Sequence, residues 1–252
     1  MPTRTHLSPH TATTSWLQIA AWAGLTLALM SVGVRVGTDL VVRSIDEQTE
    51  ARWFAGLLPP SVPIDDPAWQ RAQQVFQRLL TDAPLRPLPY RLFLLEDLDQ
   101  PNAVAVPGGG VGVTPELLQE VESDIGLAMV LAHELGHHQY RHGLKRVGRI
   151  LLWNVVLNLM FGRANSGGLN LALQLTEASY SREQEREADH FALRRVHAVY
   201  GDTEGALAFF ELIQQRYDRG NASWLGFLSS HPPTAERLAD LRQLQQQLRQ
   251  GD

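Results

Sequence analysis

Apolar and polar residues follow one another in runs of distinct period, and each run predicts an element. From Trp16 to Val34 the chain reads WLQIAAWAGLTLALMSVGV, almost wholly apolar, and no Asp, Glu, Lys or Arg occurs between Arg4 and Arg35. About 20 such residues are enough for a helix to cross a hydrocarbon core. Trp16 and Trp22 suit an interfacial belt at one end. A cleaved signal peptide and a buried soluble helix are the competing readings. A signal h-region is shorter, about 7–15 residues, with a small-residue site after it. Here the best such site, Ser31-Val32-Gly33, runs at once into Arg35. The expectation is a tail over 1–15, an uncleaved transmembrane anchor over 16–36 with the lipid bilayer as its partner, and a juxtamembrane linker or helix over 37–66.

Beyond Pro67 the pattern becomes that of a mostly helical domain running to residue 252. LPPSVPIDDP (58–67) is a break, after which Asp66 as N-cap and Pro67 at the first helical position open a helix to about Leu80. APLRPLP is a second break. YRLFLLED is short and apolar, hence a strand, and in NAVAVPGGGVGV two β-type runs flank Pro-Gly-Gly-Gly, the signature of a hairpin. Thr114-Pro115-Glu116 starts one helix, and Ser123-Asp124 starts another that ends near Gly143. RILLWNVVLNLMF (149–161) is a second apolar run between Arg149 and Arg163, too short to span, so a buried or membrane-apposed helix is expected. NSGG (165–168) reads as flexible, with a helical segment following to about Ala178. Ser181 with Gln184 forms a capping box for the next helix, GDTEG (201–205) is a turn, and an exposed amphipathic helix begins at Thr234. The fold class is α+β: mostly helical, with a small β-sheet.

Composition narrows the chemistry. The net charge of −5 carries no basic block, which argues against a nucleic-acid partner. The absence of cysteine excludes disulfides, zinc–cysteine sites and a cysteine nucleophile. Histidine, by contrast, is concentrated: four of the nine lie in AHELGHHQYRHG, 132–143.

His133 and His137 are four apart, so on a helix both imidazoles lie on one face and can hold one metal ion. Glu134, one residue on, sits beside the ion, where a general base can take a proton from water. The preceding GLAMVLA implies a buried helix, and burying His, Glu and His without partners is costly. A third ligand must be His, Asp or Glu. EREAD (185–189) offers Glu185 and Asp189 on one helical face. One carboxylate can bind the ion and the other can orient a ligand histidine from behind. His138 and His142 fall off the His133/His137 face and read as solvated, Glu183 and Glu187 likewise, and His190 and His197 as surface or packing residues.

HELGHH followed by SREQEREAD resembles the M48 peptidases, membrane-associated zinc metalloproteases with H-E-x-x-H and a later E-x-x-A-D. NAVAVPGGGVGVTPELL is similar to the family's strand segment before the zinc helix, Ser181-Arg182 to its S-R before the glutamate, and HPPTAERL (231–238) to its C-terminal H-P-x-x-x-x-R. The likeness spans roughly residues 90–240. It implies a zincin-like fold, one Zn2+ per chain held by His133, His137 and Glu185, and Glu134 as base. Asp189 supports the ligands, and His231, Arg237 and, more weakly, Arg182 approach substrate or oxyanion.

The expected function is a membrane-anchored zinc endopeptidase in protein quality control, acting on unfolded or membrane-associated polypeptides. The expected location is a bacterial-type inner membrane, single-pass, with the catalytic domain outside the cytoplasm. Lys/Arg counts at the two ends of the anchor nearly balance. Two other classes compete: a protease-shaped protein that binds clients without cutting, and a zinc hydrolase of small molecules. A latent site is a further possibility, with NSGG or the His231 loop plugging the open zinc position.

Overall fold

A computed structural model describes residues 9–60, 64–81, 84–96, 98–161, 180–218, 231–232 and 235–251. The NSGG and 169–178 segments anticipated above lie outside these residues. Two compact units divide the chain: Met1–Ser44 with Gly148–Ala164, and Ile45–Val147 with Asn165–Asp252.

In the first unit, α1 runs unbroken from Pro9 to Ser44, and within it Ser15–Ser44 is long and apolar enough to cross a membrane. Trp16, Leu17, Trp22 and Leu29 are each more than 60% exposed, so α1 leaves its apolar side chains open from Trp16 to Leu29.

The second unit holds a three-stranded sheet and the helices that cover it. The strands are β1 (Arg91–Leu94), β2 (Ala103–Val106) and β3 (Gly110–Val113), in the order β1-β3-β2. β1 runs parallel to β3 and β2 antiparallel to it, with Ala103 opposite Val113. The expected hairpin is therefore β2–β3. Its turn needs glycine, because Gly108 and Gly109 have φ of 91° and 103°, a region that costs other residues energy.

The helices begin where the sequence marks them. They are α2 (Glu47–Phe54), α3 (Pro67–Thr81), α4 (Pro115–Glu120), α5 (Asp124–Gln139), α6 (His142–Phe161), α7 (Arg182–Tyr200), α8 (Ala208–Asp218) and α9 (Ala235–Gln250). Asp66 accepts from the Trp69 amide at 2.8 Å, Ser123 from Gly126 at 3.0 Å, and Ser181 and Gln184 close a capping box. The second unit's core joins Trp69, Phe76 and Leu79 of α3, Val111 and Val113 of β3, Leu127, Met129 and Leu131 of α5, Leu193 of α7 and Leu241 of α9. Burying each such large side chain contributes about 1.5–3 kcal/mol. α9 is thus less exposed than its composition suggests.

One boundary differs from expectation. α5 stops at Gln139 rather than near Gly143, because Arg141 adopts a left-handed backbone, φ 57°. Its guanidinium holds that shape by donating to the Ile45 carbonyl at 2.7 Å and to Glu47 at 2.8 Å. His142 consequently opens α6 and is not the last turn of α5.

Candidate active site

α5 is buried from Gly126 to His138, on every face. Polar groups in such a helix need partners from other elements, and α7 and the segment before α9 supply them. α7 packs along α5, bringing Glu185 and Asp189 to His133 and His137. His231 and Arg237 come from beyond α8.

One donor atom from each of His133, His137, Glu185 and His231 lies within 4.8 Å of the others, and all four residues are buried. His133 Nε2 is 3.1 Å from His137 Nε2 and 3.2 Å from His231 Nδ1. Glu185 Oε2 is 3.5 Å from His133 Nε2, and Oε1 is 3.7 Å from His137 Nε2 and 3.1 Å from His231 Nδ1. With zinc–ligand bonds of about 2.0–2.2 Å, donors on a tetrahedron stand roughly 3.3–3.6 Å apart. The donor set therefore fits one zinc ion.

Protonation supports that fit. His133 Nδ1 lies 2.9 Å from Asp189 Oδ1, and His137 Nδ1 lies 2.9 Å from His142 Nδ1. With one Nδ1 proton facing each of those partners, the two Nε2 atoms face one another, and a cation, either a proton or a metal ion, must lie between them. Burial opposes charge on His133, but Asp189 and Glu185 outweigh it and push its pKa up to about 10. His137 goes the other way: burial, then the neighbouring His133, hold it well below the usual range. Burial also pushes the Glu185 carboxyl up, yet His231, His133 and Arg237 bring it well below its ordinary value.

Glu134 stands beside this group. Its Oε1 is 3.4 Å from His231 Nε2, and neither carboxylate oxygen has a hydrogen-bond partner among the described residues. Arg237 donates through Nε and Nη2 to both oxygens of Asp189 at 2.8 Å, and its Nη1 is 2.8 Å from Glu185 Oε2. Arg237 thus ties the two acids to one another. Arg182, the exposed first residue of α7, lies outside the buried group.

Several site residues escaped the sequence reading. His142 is wholly buried, not solvated, and its Nε2 is 3.0 Å from Glu187 Oε2. His138 is buried too, with Nε2 2.9 Å from the Gly110 carbonyl. Tyr180 stacks on His137 at 3.8 Å between ring centroids, with the Arg146 guanidinium 3.7 Å above its own ring. His190 does lie near the surface, paired with Asp240 at 2.6 Å.

An H-E-x-x-H helix crossed by a second helix carrying glutamate and aspartate defines a zincin-like metallopeptidase domain. The model for peptidase family M48 matches residues 68–245, and the chain belongs to that family. It is 26% identical to the mitochondrial metalloendopeptidase OMA1 of Schizosaccharomyces pombe over 188 residues, 72% of this chain and 54% of that protein. It is 27% identical to the beta-barrel assembly-enhancing protease of Escherichia coli K12 over 246 residues, 91% of this chain and 49% of that one. Metalloprotease YcaL of the same bacterium is 29% identical over 163 residues, 62% of this chain and 61% of that protein. The chain thus spans about half to three-fifths of the length of these three relatives.

Proposed function

We propose that this protein is a membrane-anchored zinc endopeptidase of protein quality control. The observation that carries the reading is the convergence of His133, His137 and Glu185 with Glu134 alongside. Zinc held by those three residues supplies Lewis-acid polarisation of the scissile carbonyl and acidifies water. Glu134 takes the proton of the attacking water and passes it to the leaving amine, a role worth about 10²–10⁴-fold in rate. Asp189 and His142 hold the two ligand imidazoles in one tautomer, and Arg237 fixes Asp189 and Glu185.

His231 fits a different part from the one its motif implies. A catalytic zinc site keeps one position open, and His231 offers a fourth donor there. We read this arrangement as a resting state, in which His231 must withdraw before substrate enters. β2 is an outer strand of the sheet and packs against α5. An extended polypeptide adding to its edge is read mainly through its backbone, which suits unfolded substrates. The apolar α1 supports anchoring, and relatives named for mitochondria and for β-barrel assembly support a mitochondrial-type or bacterial envelope setting.

The test is casein cleavage by the full chain in detergent, against E134Q, with zinc content measured for both. One zinc per chain in each protein, with cleavage lost in E134Q, is the expected result. Zinc without cleavage in either protein favours the client-binding alternative. No bound zinc refutes the reading.

A further inference from the structure

The first unit contains a second apolar surface besides α1. Its seam joins α1 to the later part of α6. Val34, Thr38 and Val42 of α1, spaced by four, are buried. A Cβ on Gly148 would meet Thr38 Cγ2 at 2.8 Å and Val42 Cγ2 at 3.7 Å, and one on Gly37 would meet Leu152 Cδ2 at 3.4 Å. Passing from Gly148 to Leu152, the partner on α1 moves from 38–42 back to 37, so the two helices run antiparallel.

Gly148, Leu152, Val155 and Leu159 recur at i, i+4, i+7 and i+11, which is a single helical face. The near part of that face is closed by α1. The far part is open: Val155 is 51% exposed and Leu159 81%, with Leu151 beside them at 52%. At 1.5 Å per residue, Leu159 lies about 10 Å beyond Leu152. That distance runs from the charged end of α1, with Arg35, Asp39 and Arg43, toward its uncharged stretch. The medium that accepts Trp22, Leu25 and Leu29 on α1 therefore also meets Leu159. An open apolar stripe continuing the surface of an apolar helix marks an interaction site.

We propose that residues 148–161 of α6 dip into the lipid leaflet beside α1, with Val155 and Leu159 among the acyl chains. The segment is about 20 Å long, so it enters one leaflet and does not cross. Arg149, at the shallow end of the segment beside the charged end of α1, can keep its charge at the headgroups while its stem lies in apolar surroundings. The inference rests on α1 being an anchor, and the experiment separates the two claims.

The chain has no cysteine, so single-cysteine variants carry one label each. V155C, L159C, L25C in α1 and Q246C on the exposed face of α9 are labelled with an environment-sensitive fluorophore. The full chain is then placed in phosphatidylcholine–phosphatidylglycerol vesicles containing lipids with quenchers on the acyl chain. Expected is a blue-shifted, lipid-quenched emission at 155, 159 and 25, and neither at 246. Quenching at 25 alone overturns the inference and leaves the anchor standing. A blue shift at 155 and 159 without lipid quenching also overturns it, since protein then covers the stripe. Quenching at none of the sites defeats the anchor reading, and the inference with it.

Discussion

His142 Nδ1 lies 2.9 Å from His137 Nδ1, so one of the two rings must donate to the other. If His137 binds metal through Nε2, its proton is on Nδ1 and donates to His142. His142 then carries its own proton on Nε2, which donates to Glu187 Oε2 at 3.0 Å. Every nitrogen in the chain has one role, as expected where a carboxylate or carbonyl orients a ligand histidine.

H142A removes the acceptor and lets the His137 ring turn. Zinc affinity is expected to fall by about 10–100-fold, read by competition with a chromophoric chelator. H142N should recover part of the loss, because its amide both accepts and donates. Equal affinity for H142A and the parent protein would show that His142 only fills space.

This relay was not legible in the sequence, and the reason is local. Helical spacing carried on past His137 turns His142 away from the ligand face, and with it Glu187. The left-handed Arg141 ends α5 early and swings His142 back. That conformation depends on Ile45 and Glu47, almost a hundred residues upstream, as the His138 contact depends on Gly110 and the Tyr180 stack on tertiary packing. What could be read was what short-range chemistry dictates: the caps at Asp66, Thr114, Ser123 and Ser181, the Pro-Gly-Gly turn, and the H-E-x-x-H and E-x-x-x-D spacings. His231 and Arg237 were legible as motif residues, but their contacts, His231 with His133 and Glu185 and Arg237 with Asp189 and Glu185, follow from tertiary packing.

His231→Ala distinguishes the two parts assigned to that residue. If His231 closes the fourth position, its removal leaves three donors, retains zinc and raises casein cleavage. A rise of about tenfold corresponds to a closed-state bias of only about 1.4 kcal/mol. If His231 instead steadies the oxyanion, as its motif implies, cleavage falls while zinc stays bound. Rates measured at matched zinc content decide between them.

Metal binding should be linked to protons with a definite sign. In the metal-free site burial opposes a proton on His133, but Asp189 and Glu185 raise its pKa to about 10, so the ring is protonated throughout the neutral range. Zinc needs the Nε2 lone pair and must displace that proton. Calorimetric titration at pH 7.5 in buffers of different ionisation enthalpy is expected to show about one proton released per zinc. Affinity should rise with pH up to about 10 and level off above it. Removing the zinc costs stability: at a free concentration of 100 Kd binding contributes about 2.7 kcal/mol, or roughly 5–10 °C in Tm for a domain of this size. E134Q should show the same shift on chelation, since Glu134 is not a donor.

The crossing that brings the acids to the histidines turns on Gly136. A Cβ there would stand 2.9 Å from the Cα of Ala188 and 3.1 Å from its carbonyl oxygen, closer than packed atoms approach. Those are backbone atoms of α7, so no rotamer change relieves the clash. Gly136→Ala must push α7 away from α5. Overpacking of this kind costs about 1–3 kcal/mol, of which alanine's better helix propensity offsets about 1 kcal/mol, and the backbone contact places this site at the upper end of the range. The same displacement draws Glu185 and Asp189 off His133 and His137, one and three residues either side of the contact. Urea unfolding should show the stability loss, and zinc affinity should fall with it. Ala188→Gly in the same chain deletes only the 3.3 Å Cβ contact and should restore little of either. Full recovery in that double variant would mean that side-chain crowding, and not the backbone approach of two helices, sets the spacing of the site.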